Sequence, residues 1–277
     1  MEADSFFKRQ TLPIALTVVV FAVLVGLLWL EIVFLNSFTS EDVTLHIRFV
    51  DVLIGLTIYL KTSIDFALYM GKLMVNNRGW KNRIAIEIGT AAGNAIGTMA
   101  ILAVWVFFKE IRWLLALMIF LAALILFKLA EESLEYTQVN DKNYPRWFKK
   151  IVNGFEYILE TINKLIMPVL RYIVPNLSMQ AKSGLSFWSL FGVAFTVPFI
   201  LGLDDFAGYV PLFSVVNLFG FAIGALGAHM LLNIFLYISP DRTTRAVKNP
   251  IISFLGSVAF AGIGILGLIE VIQLIGE

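Results

Sequence analysis

From Leu12 to Leu35 the chain carries a single charged residue, Glu31, and six later stretches are nearly as apolar. A helix needs roughly 20 such residues to cross the hydrocarbon core of a bilayer. The seven stretches fall at about 12–35, 48–74, 84–108, 113–130, 185–213, 217–238 and 251–275. Inside lipid every backbone N–H and C=O must find a partner within its own helix or in a closed barrel. The period-two alternation of barrel strands is absent, so the sequence predicts an all-α polytopic membrane protein with about seven transmembrane helices. Apolar residues make up 59% of the chain and charged residues 15%.

Other classes drop out quickly. With no cysteine there is no thiol redox chemistry, no thiolate metal site and no disulfide. Basic residues are scattered among helix ends rather than gathered with aromatics on one face, which excludes nucleic acid as a partner. Lys8 and Arg9 ahead of an apolar run resemble a signal sequence. The run exceeds an h-region of roughly 7–15 residues and lacks a small-residue cleavage site, so it is expected to stay as the first span.

Lys and Arg enrich short cytoplasmic loops. Lys8 and Arg9 place the N-terminus inside, and the 36–47 loop, with Glu41 and Asp42 but no Lys or Arg, outside. Arg78, Lys81 and Arg83 mark an inside loop, as do Arg242, Arg245 and Lys248. The segment 131–183 carries Lys142, Arg146, Lys149, Lys150, Lys164, Arg171 and Lys182 and is also inside, so the C-terminus is expected outside. Only Lys109 and Arg112, in a short outside turn, run against the pattern.

Two of these spans share a motif. Ser63-Ile64-Asp65-Phe66-Ala67-Leu68-Tyr69 recurs as Leu203-Asp204-Asp205-Phe206-Ala207-Gly208-Tyr209. The second spans match as well: Gly89, Gly93 and Gly97 correspond to Gly220, Gly224 and Ala228 at the four-residue spacing that lets helices approach closely. Without the first span, six remain as three plus three, and an odd number per half turns the second half over. The expectation is an inverted 3+3 repeat, which in transporters places a site near the midplane. Four segments follow: 1–47, an N-terminal span and outside loop; 48–130, the first repeat; 131–183, a cytoplasmic linker; and 184–277, the second repeat. Within the linker, apolar residues from Phe148 to Ile173 recur at helical spacing opposite Lys149, Lys150, Glu156, Glu160, Lys164 and Arg171. That pattern predicts an amphipathic interfacial helix.

An ionised residue at midspan costs at least about 2.5–3.5 kcal/mol on insertion scales, so intramembrane acids mostly line pathways. Asp65, Asp204 and Asp205 are the leading candidates for a metal or proton site, with Asn94 and Asn217 as neutral oxygen ligands. Lys61 stands one helical turn before Asp65, placed for charge coupling or an internal salt bridge. Asp51, in the same motif helix, is a second candidate for proton or charge coupling, although it lies nearer the outside where solvent reaches; Glu87 and Glu270, near helix ends, are expected to be solvated. His229 and Asn233 are further candidates, although a lone histidine in a packed helix is more often a hydrogen-bonder than a ligand. Oxygen-dominated sites suit hard cations. Pro198, Gly202, Gly208 and Pro211 around the second motif predict a broken helix there, while the first copy has only Gly55 and Gly71.

Ser63-Ile64-Asp65-x-Ala67-Leu68, the paired acids Asp204-Asp205 and Leu126-Phe127-Lys128-x-x-Glu131-Glu132 resemble the LysE/TerC superfamily of membrane transporters, in particular its TerC-like and manganese- or cadmium-exporter branches. Phe66 and Phe206 stand where those proteins usually carry a polar residue, and Lys61 is additional. The resemblance implies duplicated three-helix units and efflux of a divalent cation, with Asp65 and Asp204 or Asp205 as site residues. The expected function is a secondary transporter moving a cation, a divalent metal such as manganese, outward and in exchange for protons. It would need no bound cofactor; its partners are the bilayer and the transported metal ion or proton. An assembly factor or chaperone using the amphipathic helix is the alternative, with the aspartates purely structural. An enzyme is disfavoured: His46 and His229 lie in separate segments and form no H-E-x-x-H.

Overall fold

A computed structural model describes residues 2–40, 42–77, 79–135, 144–173, 184–247 and 249–276. Arg78, Lys142, Lys182 and Lys248 of the orientation argument lie outside them. The described residues are predominantly helical, without a strand. In order the helices are α1 (Glu2–Asn36), α2 (Phe49–Thr62), α3 (Ile64–Asn76), α4 (Trp80–Phe108), α5 (Arg112–Glu135), α6 (Arg146–Ile173), α7 (Phe187–Gly208), α8 (Leu218–Ile238), α9 (Pro240–Val247) and α10 (Pro250–Gly276). Five are long and apolar enough to cross a membrane: the Ile14–Asn36 part of α1, then α4, α5, α8 and α10. The bent pair α2–α3 passes the same test as a unit, making up to six. The chain is thus a helical, multi-span membrane protein.

Three helix pairs form the body: α4 along α7, α5 along α10, and α2 along α8. Glycines set how close two of them come. A Cβ on Gly55 would sit 2.1 Å from the carbonyl oxygen of Phe221, and one on Gly224 would sit 2.1 Å from that of Val52. On α4, a Cβ on Gly93 would sit 2.2 Å from the carbonyl oxygen of Phe195. Backbones therefore touch where side chains would ordinarily separate them. The third pair is joined by Ser257, whose Oγ donates to the Ala130 carbonyl at 2.5 Å.

The strand of hydrogen bonds across the loops fixes direction. Leu185, just before α7, donates its backbone N–H to Asn77 Oδ1 just after α3 (3.3 Å). Asn217, beyond α7, donates Nδ2 to Thr44 Oγ1 (2.6 Å), ahead of α2. So α7 runs antiparallel to α2–α3. At the end where Thr44 and Asn217 meet, Ser40 also bonds Glu110 in the α4–α5 turn, and Ser214 donates to Glu270 (3.2 Å).

The break in the motif helices falls opposite to expectation. It is the first copy that breaks, at Ser63, with α2 and α3 inclined at 67°. Lys61-Thr62-Ser63 puts three polar residues in succession. The Thr62 hydroxyl donates to the Tyr59 carbonyl (3.1 Å) and the Ser63 N–H donates to the same oxygen (3.0 Å), closing α2. Short hydroxyl side chains offer the backbone such alternatives to a continuing helix. In contrast α7 continues through Pro198, and the chain turns only at Val210–Leu212, a single 3₁₀ turn containing Pro211. The linker helix α6 forms as expected, burying Phe148, Val152 and Leu159 with α5 and α10 residues such as Leu126 and Phe260. α1 buries Leu24, Leu28, Ile32 and Leu35 on one stripe and leaves Val23, Leu27, Leu30 and Phe34 outward.

Alanine at Gly93 or Gly224 should destabilise the protein by about 1–3 kcal/mol, since its methyl meets a carbonyl that cannot step aside without moving a helix. Gly192→Ala and Gly262→Ala, where nothing lies within 4 Å of the new methyl, should be neutral or slightly stabilising. Thermal unfolding of the four variants in one detergent measures the contrast.

Candidate functional site

The break at Ser63 abuts a polar chain that crosses the core between α2, α8 and α4. In the last turn of α2, Tyr59 Oη lies 2.6 Å from His229 Nδ1 on α8. One turn along α8, Asn233 Nδ2 donates to His229 Nε2 (3.1 Å) and to Thr90 Oγ1 on α4 (3.0 Å). Thr90 passes its own hydroxyl proton to the Glu87 carbonyl (3.0 Å). Because Nε2 accepts, the neutral imidazole carries its proton on Nδ1 and donates it to Tyr59. The Phe66 ring covers His229 at 4.9 Å between centroids, directly after the motif aspartate in sequence.

The chain ends on a buried ion pair. Arg83 Nε donates to Glu87 Oε2 at 3.1 Å, with the two side chains 4% and 0% exposed. Its other nitrogens donate to the Asn233 carbonyl (3.0 Å) and to Met74 Sδ (3.1 Å), and its guanidinium carbon stands 3.9 Å from the centre of the Tyr237 ring. A guanidinium stacked on an aromatic face and held by three acceptors is the form in which a buried arginine is tolerated. Glu87 Oε1, Asn233 Oδ1, Asn94 Nδ2 and Ser63 Oγ are buried without a partner among the described residues. Of these, Glu87 Oε1 and Asn233 Oδ1 are spare acceptors on facing helices, which suit a partly dehydrated cation or a relayed proton, while Asn94 Nδ2 is a spare donor; buried polar atoms of this kind call for a function.

The anticipated residues distribute as follows. The side chains of Asp65, Asp204 and Asp205 lie outside the described residues; their backbones fall in the first turn of α3 and the last turns of α7. Asn94 is buried on α4, whereas Asn217 caps α8 at its end, accepting from the Gly220 N–H (3.0 Å). Lys61 donates Nζ to the Ile252 carbonyl of α10 (2.7 Å). Its one-turn relation to Asp65 required a continuous helix, and α2 ends at Thr62. Asp51, expected in solvent, is buried and held by Arg48 through Nε at 2.5 Å and Nη2 at 3.1 Å. His229 is a hydrogen-bonder on both nitrogens. Among the described residues no three His, Asp or Glu side chains gather into a metal-holding group.

Sequence reasoning does not reach Tyr59, Arg83, Glu87 and Thr90. With α4 expected to begin at residue 84, four residues beyond Trp80, Arg83 reads as a loop charge and Glu87 as solvated. The available signal was the i,i+4 spacing of Arg83 and Glu87, which marks one helix face. No family model matches the chain, and no curated protein or solved structure matches it either.

Arg83→Met alone should cost about 3–5 kcal/mol, by leaving the Glu87 carboxylate buried and unpaired. Arg83→Met with Glu87→Leu should recover most of that loss. A double-mutant cycle on thermal or denaturant stability reads the coupling directly.

Proposed function

We propose that the protein is a secondary transporter that carries a cation between two related, oppositely oriented three-helix halves. The carrying observation is the pattern of helix pairs. Exchanging α2–α3, α4 and α5 for α7, α8 and α10 turns the α2–α8 pair into α7–α4 and returns α5–α10 to itself. The antiparallel run of α7 against α2–α3 supports the same exchange. With the first span and α7, this reading has seven crossings, the N-terminus and linker cytoplasmic and the C-terminus outside.

The crossings support it in register. Gly220 faces Arg48 and Asp51, and Gly224 faces Val52 and Leu56; Gly89 faces Phe191 and Ala194, and Gly93 faces Phe195 and Phe199. Val52 thus answers to Phe195. From these points it is thirteen residues to Asp65 but ten to Asp205. The first half has nearly one extra turn before its aspartate, and that is where the helix breaks. Broken helices hold ions in transporters through freed backbone groups and half-helix ends.

The cation is a divalent metal such as manganese, moved outward against protons, with Asp65 and Asp205 (or Asp204) as principal ligands. The likeness to TerC-like exporters supports the substrate class. A second reading, a membrane-embedded assembly factor, draws on the exposed apolar face of α6, where Trp147, Ile151, Ile158 and Leu165 are open.

Reconstituted in liposomes enclosing a metal-sensitive dye, the protein should pass Mn²⁺ with a saturable rate that rises with an opposing proton gradient. Asp65→Asn and Asp205→Asn should each lower that rate about tenfold or more while leaving the thermal midpoint within a few degrees. Unchanged flux in both folded variants rejects the aspartate site. Loss of function on deleting α6, with flux absent throughout, supports the assembly factor.

A further inference from the structure

A second polar feature lies away from that network, where α6 crosses α5. Between the two helices lies an open groove of about 570 Å³ lined by Glu131, Glu160, Asn163, Lys164, Met167 and Pro168. Asn163 is 3% exposed. Its Nδ2 donates to the Phe127 carbonyl (3.2 Å) and to a carboxylate oxygen of Glu131. Two acceptors on one side fix the amide's orientation, which leaves Oδ1 as the free end. That oxygen is buried and has no partner among the described residues.

The lining is rich in acceptors and poor in donors. Two carboxylates face one ammonium, Lys164, whose Nζ stands 3.5 Å from Glu160 Oε2 with 78% of its side chain exposed. A pair so open to solvent is weak and free to rearrange. An anion has no place among Glu131, Glu160 and a bare amide oxygen. The occupant must bring positive charge and N–H donors. The groove is also far larger than the roughly 30 Å³ share of one water, and it is walled on one side by Met167 and Pro168. Met167 in that wall is itself 46% exposed. An exposed apolar side chain at the edge of such a groove on an amphipathic helix is where an acyl chain lies when the helix rests in the headgroup region.

We propose that this groove binds a primary ammonium group, that of an ethanolamine phospholipid headgroup. Glu131, Glu160 and Asn163 Oδ1 accept its three N–H bonds, Lys164 turns to the lipid phosphate, and the chains run past Met167. The site stands apart from the cation pathway and does not depend on transport.

Native mass spectrometry of the full chain in detergent, equilibrated with equal amounts of phosphatidylethanolamine and phosphatidylcholine of identical acyl chains, tests it. The trimethylated headgroup keeps the charge but has no N–H to donate. Retention should favour the ethanolamine lipid about tenfold or more, the scale of one lost charged hydrogen bond. Glu160→Gln and Glu131→Gln, each checked for an unchanged thermal midpoint, should bring the ratio toward one, while Lys150→Gln should leave it alone. Equal retention of both lipids by the wild type, or selectivity that survives both glutamine variants, overturns the proposal. Displacement of the lipid by millimolar soluble phosphoethanolamine supports the ammonium site. Stabilisation by that soluble amine with no lipid retained overturns the lipid assignment.

Discussion

Backbone contact between helices is the interaction on which the rest of this structure depends. At Gly55, Gly93 and Gly224 a carbonyl of the neighbouring helix fills the place a side chain would take. In lipid there is little hydrophobic gain in bringing two apolar helices together, so close packing must supply the attraction. Such approach locks α2 on α8 and α4 on α7, and it leaves room at the centre only for side chains that pack or bond across very short gaps. Tyr59, His229, Asn233 and Thr90 do so. The bond between α2 and α8 follows from their crossing: widen it by a methyl group and the Tyr59–His229 hydrogen bond opens.

The same closeness explains how a charged pair persists at the bottom of the network. Arg83 and Glu87 are neutral together, and the guanidinium is further held by the Asn233 carbonyl, Met74 and Tyr237. Breaking a buried pair costs far more than the pair contributes over apolar replacements, so such pairs are weak evidence of stability alone. In a transporter, a pair of this kind beside spare oxygen acceptors is a natural place for charge to change hands. Asp51 with Arg48 forms a second pair near the opposite end of α2, there with only the carboxylate buried.

Much of the architecture was legible because apolar length and charge at span ends are coarse signals that survive any packing. The limits of α6 and α8 could be read almost to the residue, the first from its amphipathic period and the second from its uninterrupted apolar run. The short α9 was not anticipated, since Pro240–Val247 is polar and read as loop. Break positions were harder. Pro198 marks a weak point by composition, yet neighbouring helices tolerate it and α7 continues. Ser63 marks none by the usual signals, because hydropathy averaged over a span hides three adjacent polar residues. Burial was misjudged for Asp51 and Glu87: exposure of a helix end depends on which helices cover it, and no local pattern carries that. The duplicated motif was visible at once. Its chemistry rests on Asp65, Asp204 and Asp205, whose side chains lie outside the described residues.

The central claim is that the two halves enter the membrane from opposite faces. The chain has no cysteine, so single cysteines can be introduced at Ser40, ahead of α2, and at Ser186, ahead of α7, and both positions are exposed. In sealed right-side-out vesicles, a membrane-impermeant maleimide should label Ser40→Cys and spare Ser186→Cys until the vesicles are opened. Labelling of both cysteines from the same side would contradict the inverted arrangement and, with it, the shared site between the halves.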